Sequence, residues 1–315
     1  MKPLPLTIAI GVTLLSFTLA ARSWGATERW GVEEITLKGP SGGNPYLDVR
    51  LGARFIQGDR TIVVPGFWDG GDTYCIRFSP PTNGEWRYET KSATPDLNGK
   101  TGVFVVAAPS ANNHGPVQVF NTFYFRYADG TPYHQFGTTC YAWVHQTEAL
   151  QEQTLKTLET ASFNKMRMIV FPKDMPYNKN DPTIYPYVSN PGFPQGSTVT
   201  PKGTTHAKYS FDFDKTDPAF WRHFEQRILD LQKLGIEADI ILWHPYDRWG
   251  FKNMSPEQDD RYLRYCIARL SAYRNVWWSL ANEYDFMTAQ RPGRPGKKME
   301  DWDRFFSLLQ KEDPH

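Results

Sequence analysis

The chain has 315 residues, enough for two domains, and its 40% hydrophobic content is ordinary for a globular protein. Its 35 Lys and Arg balance 34 Asp and Glu, which leaves no electrostatic footprint for nucleic acid or for an anionic membrane surface. Aromatic residues make up 15%, with 11 Trp; flat rings of this kind fill cores and also line sugar-binding clefts.

The N-terminus reads as a secretory signal peptide over residues 1–25. Lys2 supplies the positive segment, residues 6–20 the apolar one, and Ala20, Ala21, Ser23 and Gly25 the small residues of a cleavage region. The apolar run is short for a membrane span, with an uncleaved anchor as the alternative. The mature protein is therefore expected to be secreted or periplasmic and free of the membrane. Cys75, Cys140 and Cys266 are too few and too irregular for a disulfide framework or a zinc site, and are expected as three buried thiols, with a single disulfide as the alternative. No metal or cofactor is expected.

Residues 26–110 carry short alternating runs at 32–37, 46–55, 61–64, 73–78, 86–90 and 102–107, separated by Gly- and Pro-rich turns such as Asp69-Gly70-Gly71-Asp72. Six strands at this spacing predict an immunoglobulin-like β-sandwich. A small, polar linker follows at 108–115. From 116 the pattern alternates strand and helix. A strand is predicted over 133–143, then a helix over 148–161 with Leu155 and Leu158 on its apolar face. A nearly continuous apolar strand at 165–171 is followed by a long loop, 173–215, of the kind that usually serves function. Asp217 caps a helix with Pro218 in its first turn and Phe220, Phe224, Ile228, Leu231 and Leu234 at helical spacing; Gly235 ends it. A strand is predicted at 237–244. Ser255 and Gln258 form a capping box before a helix carrying Leu263, Ile267 and Leu270. The last predicted pair is a strand at 276–282 and a helix at 301–311. Four β-then-α units predict a parallel sheet with helical crossovers, and in such barrels chemistry sits at the C-terminal strand ends.

Those ends gather polar and aromatic groups. The first carries Tyr141 and Trp143, the third His244, Tyr246 and Asp247, with Trp249 just beyond, and the fourth Asn282 and Glu283. A glycosidase needs a carboxylic acid to protonate the leaving oxygen and a donor for the sugar 2-hydroxyl. Glu283 suits the first task and Asn282 the second. Burial among aromatic faces would raise the Glu283 carboxyl and keep it protonated until needed. Tyr141, Trp143, Tyr246 and Trp249 are candidate walls for sugar subsites, or core packing. Asp247, followed by Arg248, reads as an ion pair or loop brace.

Trp277-Trp278-Ser279-Leu280-Ala281-Asn282-Glu283, Phe163-Asn164-Lys165-Met166-Arg167-Met168, and in the sandwich Val64-Pro65-Gly66-Phe67-Trp68-Asp69-Gly70 together resemble the apiosidase-like glycoside hydrolases. These belong to a clan whose (β/α)8 TIM barrels carry Asn-Glu at the end of strand four, here behind a short accessory sandwich. The resemblance covers nearly the whole mature chain. It implies a retaining glycosidase acting on polysaccharide or glycan side chains, Glu283 as general acid/base, Asn282 as the 2-hydroxyl ligand, His244 as a substrate contact and Arg167 as support for the nucleophile carboxylate. The clan places that nucleophile on strand seven, whereas this sequence carries about four β/α units over 116–315. The chain is therefore expected to be a fragment, inactive by itself, with two open sheet edges. The alternative is a non-catalytic carbohydrate-binding or cell-surface protein; a third possibility is that two half-barrels pair as a homodimer.

Overall fold

A computed structural model describes residues 27–178, 181–192, 209–288 and 296–315. The expected leader, 1–25, and residues 193–208 of the long loop lie outside the described residues. Strands β1 (Glu33–Lys38), β2 (Leu51–Gln57), β3 (Arg60–Gly70), β4 (Thr73–Phe78), β5 (Gly84–Ser92) and β6 (Thr101–Val106) form an antiparallel sheet in the order β1-β4-β3-β2-β5-β6. Six strands were expected here, as a sandwich of two sheets. The hydrogen bonding instead runs through all six as one curled sheet, because β3 serves both halves. Its first half, to Pro65, pairs with β2, and its second half, from Gly66, pairs with β4. Gly66 permits the close approach at this corner: a Cβ there would meet Leu51 and Ile76 side chains at 2.8 and 2.9 Å. The curl encloses Ile35, Ala53, Phe55, Val64, Ile76, Phe78, Trp86 and Val106. The strand predicted over 46–55 starts late, because Pro45 opens a one-turn helix, α1 (Pro45–Asp48).

Next comes a small meander, β7 (Val117–Phe120), β8 (Tyr124–Tyr127) and β9 (Pro132–Tyr133), in a stretch where no strand is predicted before 133. The strand predicted over 133–143 is broken. β9 ends at Tyr133, β10 (Gly137–Thr139) spans three residues, and the chain then turns into a 3-10 segment at Trp143–His145. Asn164 explains the break, since its side chain receives the Phe136 N–H at 2.7 Å and donates to the His134 carbonyl at 2.8 Å. Helix α2 (Glu148–Leu158) leads to β11 (Lys165–Ile169). An antiparallel pair, β12 (Tyr187–Ser189) and β13 (Phe211–Thr216), stands within the long segment read as a loop. Helix α3 (Pro218–Lys233), β14 (Glu237–Trp243), α4 (Pro256–Leu270), β15 (Val276–Ala281), α5 (Tyr284–Thr288) and α6 (Met299–Glu312) complete the chain.

Strands β10, β11, β14 and β15 form one parallel sheet in that order. The expected caps are in place. Asp217 accepts the Ala219 N–H, and Ser255 and Gln258 exchange the bonds of a capping box. On the face towards the helices, Met166, Met168, Ala238, Ile240, Leu242 and Leu280 join one core with Phe220, Phe224, Leu231, Leu263 and Ile267. The alternate positions include a polar group. Asp239 pairs with Lys165 Nζ at 3.0 Å and Arg167 Nε at 3.5 Å, and accepts the Ser279 hydroxyl at 2.8 Å. Trp277 donates to Glu237 at 3.0 Å, and the meander lies over it, with Phe125 and Tyr133 rings 5.2 and 5.8 Å from that of Trp277.

The curled sheet is joined to the helices by β4, buried on both faces. Ile76 and Phe78 enter the sheet's own core, while Cys75 belongs to the larger core. Arg77 reaches Glu225 on α3 at 2.7 Å and Glu34 at 2.7 Å, and donates to the Arg269 carbonyl at 2.8 Å. Arg269 on α4 in turn holds Glu225 at 2.5 Å and Asp69 at 2.8 Å. Cys75 and Cys266 are buried, Cys140 is partly so, and all three are free thiols. Among the described residues no helix is long and apolar enough to cross a membrane.

Candidate active site

Each parallel strand delivers residues to the same end of the sheet. After β10, the Tyr141 carbonyl accepts the Ile169 N–H at 3.0 Å, which fixes Tyr141 beside β11. Beyond β11, Lys173 and Asp174 are pinned to the segment after β14, since the Asp174 N–H donates to the Tyr246 carbonyl at 2.8 Å. At the end of β15, the Asn282 N–H donates to the Trp243 carbonyl at 3.0 Å.

Two phenols close the cluster. The Tyr141 hydroxyl donates to Asn282 Oδ1 at 3.0 Å, which leaves the Asn282 amide N–H groups free to donate elsewhere. The Tyr246 hydroxyl donates to the Glu283 carboxylate. That bond, with a smaller contribution from burial, pushes the Tyr246 phenol up to about 12, so it stays protonated and remains a donor at neutral pH. Glu283 adopts a left-handed backbone, φ 53°, a region that costs a non-glycine residue about 1 kcal/mol or more and collects at functional positions.

His244 is buried. Burial drives its imidazole down to about 4, only partly opposed by its bond to the Phe171 carbonyl, and Lys173 and Lys252 lower it further. It is neutral at pH 7. Nε2 carries the proton, because it lies 3.0 Å from that carbonyl, an acceptor only, and Nδ1 keeps its lone pair with no hydrogen-bond partner. Asp247 is the brace foreseen from sequence: its carboxylate accepts N–H bonds from Trp249, Gly250 and Lys252 at 2.8, 3.0 and 2.7 Å. Arg248 pairs elsewhere, with Asp174 at 2.8 Å and Asp181 at 2.5 Å.

Tyr141, His244, Tyr246, Asn282 and Glu283 thus gather at the strand ends. The two tryptophan expectations need correction. Trp143 and Trp249 are each 3% exposed and belong to the core rather than to a cleft wall. Trp143 lies in the 3-10 turn and donates its indole N–H to the Gln151 carbonyl at 3.1 Å, a structural bond. Arg167 lies within β11 and is engaged with Asp239, below the cluster. Glu283 itself is exposed, so the burial expected around it is not supplied by these residues. The residue missed is Lys173, 5% exposed, whose ammonium sits 3.7 Å from the Tyr141 ring centre and 4.7 Å from that of Tyr246. Its only sequence cue is its place two residues after the apolar run of the second strand. Among the described residues no group of three or more His, Cys, Asp or Glu could hold a metal ion.

A parallel β/α sheet with an amide, a carboxylate and two phenols at its strand ends has the form of a glycoside hydrolase-like catalytic fold. The chain belongs to the apiosidase-like catalytic domain family, which matches residues 120–315. Residues 26–93 match a domain of unknown function, DUF5060. A protein of known structure from Bacteroides vulgatus ATCC 8482, provisionally described as a glycoside hydrolase, is 44% identical over 93% of this chain, with a TM-score of 0.84. This chain spans only 55% of that protein's length. A glycoside hydrolase family 5 protein from the same organism is 16% identical, with 64% of this chain and 38% of that one covered and a TM-score of 0.42. An endo-1,4-β-D-mannanase from Thermotoga petrophila RKU-1 is 15% identical, with 58% and 54% covered and a TM-score of 0.36. Likenesses this low carry no argument about this chain. No curated protein matches it.

Proposed function

We propose that this chain is the acid/base-bearing part of a secreted, retaining glycoside hydrolase that acts on polysaccharide or glycan side chains. In this reading residues 1–25 are a leader, 26–110 an accessory domain and 116–315 the first half of a (β/α)8 barrel. The observation that carries it is the pair of phenol bonds, Tyr141 to Asn282 and Tyr246 to Glu283, made between the ends of three parallel strands. Glu283 gives a proton to the leaving oxygen in the first step and takes one from water in the second. The Asn282 amide, its oxygen held by Tyr141, directs its N–H groups to the sugar 2-hydroxyl. His244 and Tyr246 contact the substrate. Arg167 supports the partner carboxylate through the layer it shares with Asp239. That partner, the nucleophile of a retaining pair, stands roughly 5–5.5 Å from the acid/base and is assigned to no residue of this chain.

The test is Glu283→Gln in the full-length protein, with 2,4-dinitrophenyl glycosides that need no proton on leaving. Turnover of substrates with poor leaving groups should fall by ~10²–10⁴, while dinitrophenolate release survives as a burst. Azide should restore turnover and yield a glycosyl azide of retained configuration. Wild-type rates on poor leaving groups would remove Glu283 from the mechanism. Export is read from the intact mass of protein recovered outside the cytoplasm: loss of about 25 residues supports the leader, and a mass that includes Met1 refutes it.

A further inference from the structure

Among the described residues, no carboxylate forms an ion pair with the Lys173 ammonium. It is 5% exposed, and its nitrogen is held between the faces of two tyrosines, 3.7 Å from the Tyr141 ring centre and 4.7 Å from that of Tyr246. Removing a cation from water is unfavourable unless something replaces the lost solvation, and the negative faces of two rings do so in part. The backbone around it is fixed. The Lys173 carbonyl accepts the Asn178 amide at 2.8 Å, and Asp174 is bonded to the Tyr246 carbonyl. These are the same two tyrosines whose hydroxyls hold Asn282 and Glu283.

We infer that Lys173 is a positioning residue, a cationic wedge that sets the two phenol rings and through them orients the Asn282 amide and the Glu283 carboxylate. The β11 end thereby joins the other three strand ends in one constellation. A cation against a phenol ring draws electron density from it and strengthens the hydroxyl as a donor. It also adds to the field that keeps the neighbouring His244 neutral.

The inference rests on the reading of Asn282 and Glu283 as site residues, and its test needs no turnover, so the two can fail separately. The full-length protein is labelled with [13Cζ]tyrosine and with 15N, and the signals are assigned with Tyr141→Phe, Tyr246→Phe and Asn282→Asp. In Lys173→Met, with the melting temperature unchanged, the Tyr141 and Tyr246 Cζ resonances should both move and the Asn282 side-chain amide pair should shift or broaden. Other tyrosines should stay in place, and Lys173→Arg should restore most of the wild-type pattern. Superimposable spectra for Lys173→Met would overturn the inference, as would a Lys173→Arg spectrum displaced as far as that of Lys173→Met. If Lys173→Met does not fold, Lys173→Gln, which keeps a polar end without the charge, is held to the same criterion.

Discussion

Arg269→Met tests whether the curled sheet and the helical layer are one mechanical unit. The Arg269 side chain is fully buried, and Glu225 is 5% and Arg77 9% exposed. Arg269 holds both Glu225 oxygens, at 2.5 and 3.0 Å, and also bonds Asp69 at 2.8 Å and the Tyr265 hydroxyl at 3.0 Å. Removing one member of a buried ion pair typically costs ~3–5 kcal/mol, because the other charge is left uncompensated. Here Glu225 keeps Arg77 and Asp69 keeps Arg222, so the lower end applies, about 3 kcal/mol. At ~2–4 °C per kcal/mol for a unit of this size, the loss is ~6–12 °C in melting temperature by calorimetry at pH 7. The acid limb should change too. Burial acts to raise the Glu225 carboxyl, but Arg269 and Arg77 outweigh it and hold it below the usual range. A depressed folded value gives stability that is present above the unfolded carboxylate value, ~4.3, and lost as pH falls through the folded one. Arg269→Met should shrink that acid-dependent part. A drop below ~1 kcal/mol, less than typical for any buried pair, would show that the cluster does not couple the two layers.

Glu237 offers a titration of opposite sign. Burial pushes its carboxyl up to about 7, against the bonds and charges of Trp277, Arg274, Lys165 and Tyr127. The folded chain then holds a proton that the unfolded chain releases, so stability falls as pH rises from ~4.5 to 7, by roughly 3 kcal/mol at 1.36 kcal/mol per unit. Chemical denaturation of Glu237→Gln should lose that slope; a slope equal to wild type would place the proton elsewhere. Tyr141→Phe removes the donor to Asn282 Oδ1, a bond worth ~0.5–1.5 kcal/mol, so kcat/KM should fall ~2–10-fold with little loss of stability. Unchanged kcat/KM would mean that Asn282 does not depend on that phenol.

The sequence revealed elements where local chemistry and tertiary packing agree. Asp217 and Ser255 cap the helices they were expected to cap, and Met166, Met168, Ala238 and Ile240 face the helices. It failed where a distant residue intervenes. Asn164 interrupts the strand predicted through 133–143 by capturing backbone groups some thirty positions earlier, which no local pattern shows. The placing of Asn282 and Glu283 at a strand end was legible because an apolar strand leads into them. Trp143 and Trp249 were misleading because an indole is equally at home in a wall or in a core, and only the fold decides which side it turns to. Lys173 was invisible for a related reason: a lysine after a strand looks solvated until the two rings that enclose it are placed.

The left-handed backbone at Glu283 has an evolutionary consequence. Glycine would relax that φ of 53°, and asparagine would tolerate it better than glutamate. A lineage released from the need for the carboxylate, and selected only to stay folded, would therefore drift towards those residues at this position early. Under the proposed acid/base role, retention of glutamate here marks continuing use that can be read from one position in a population of sequences.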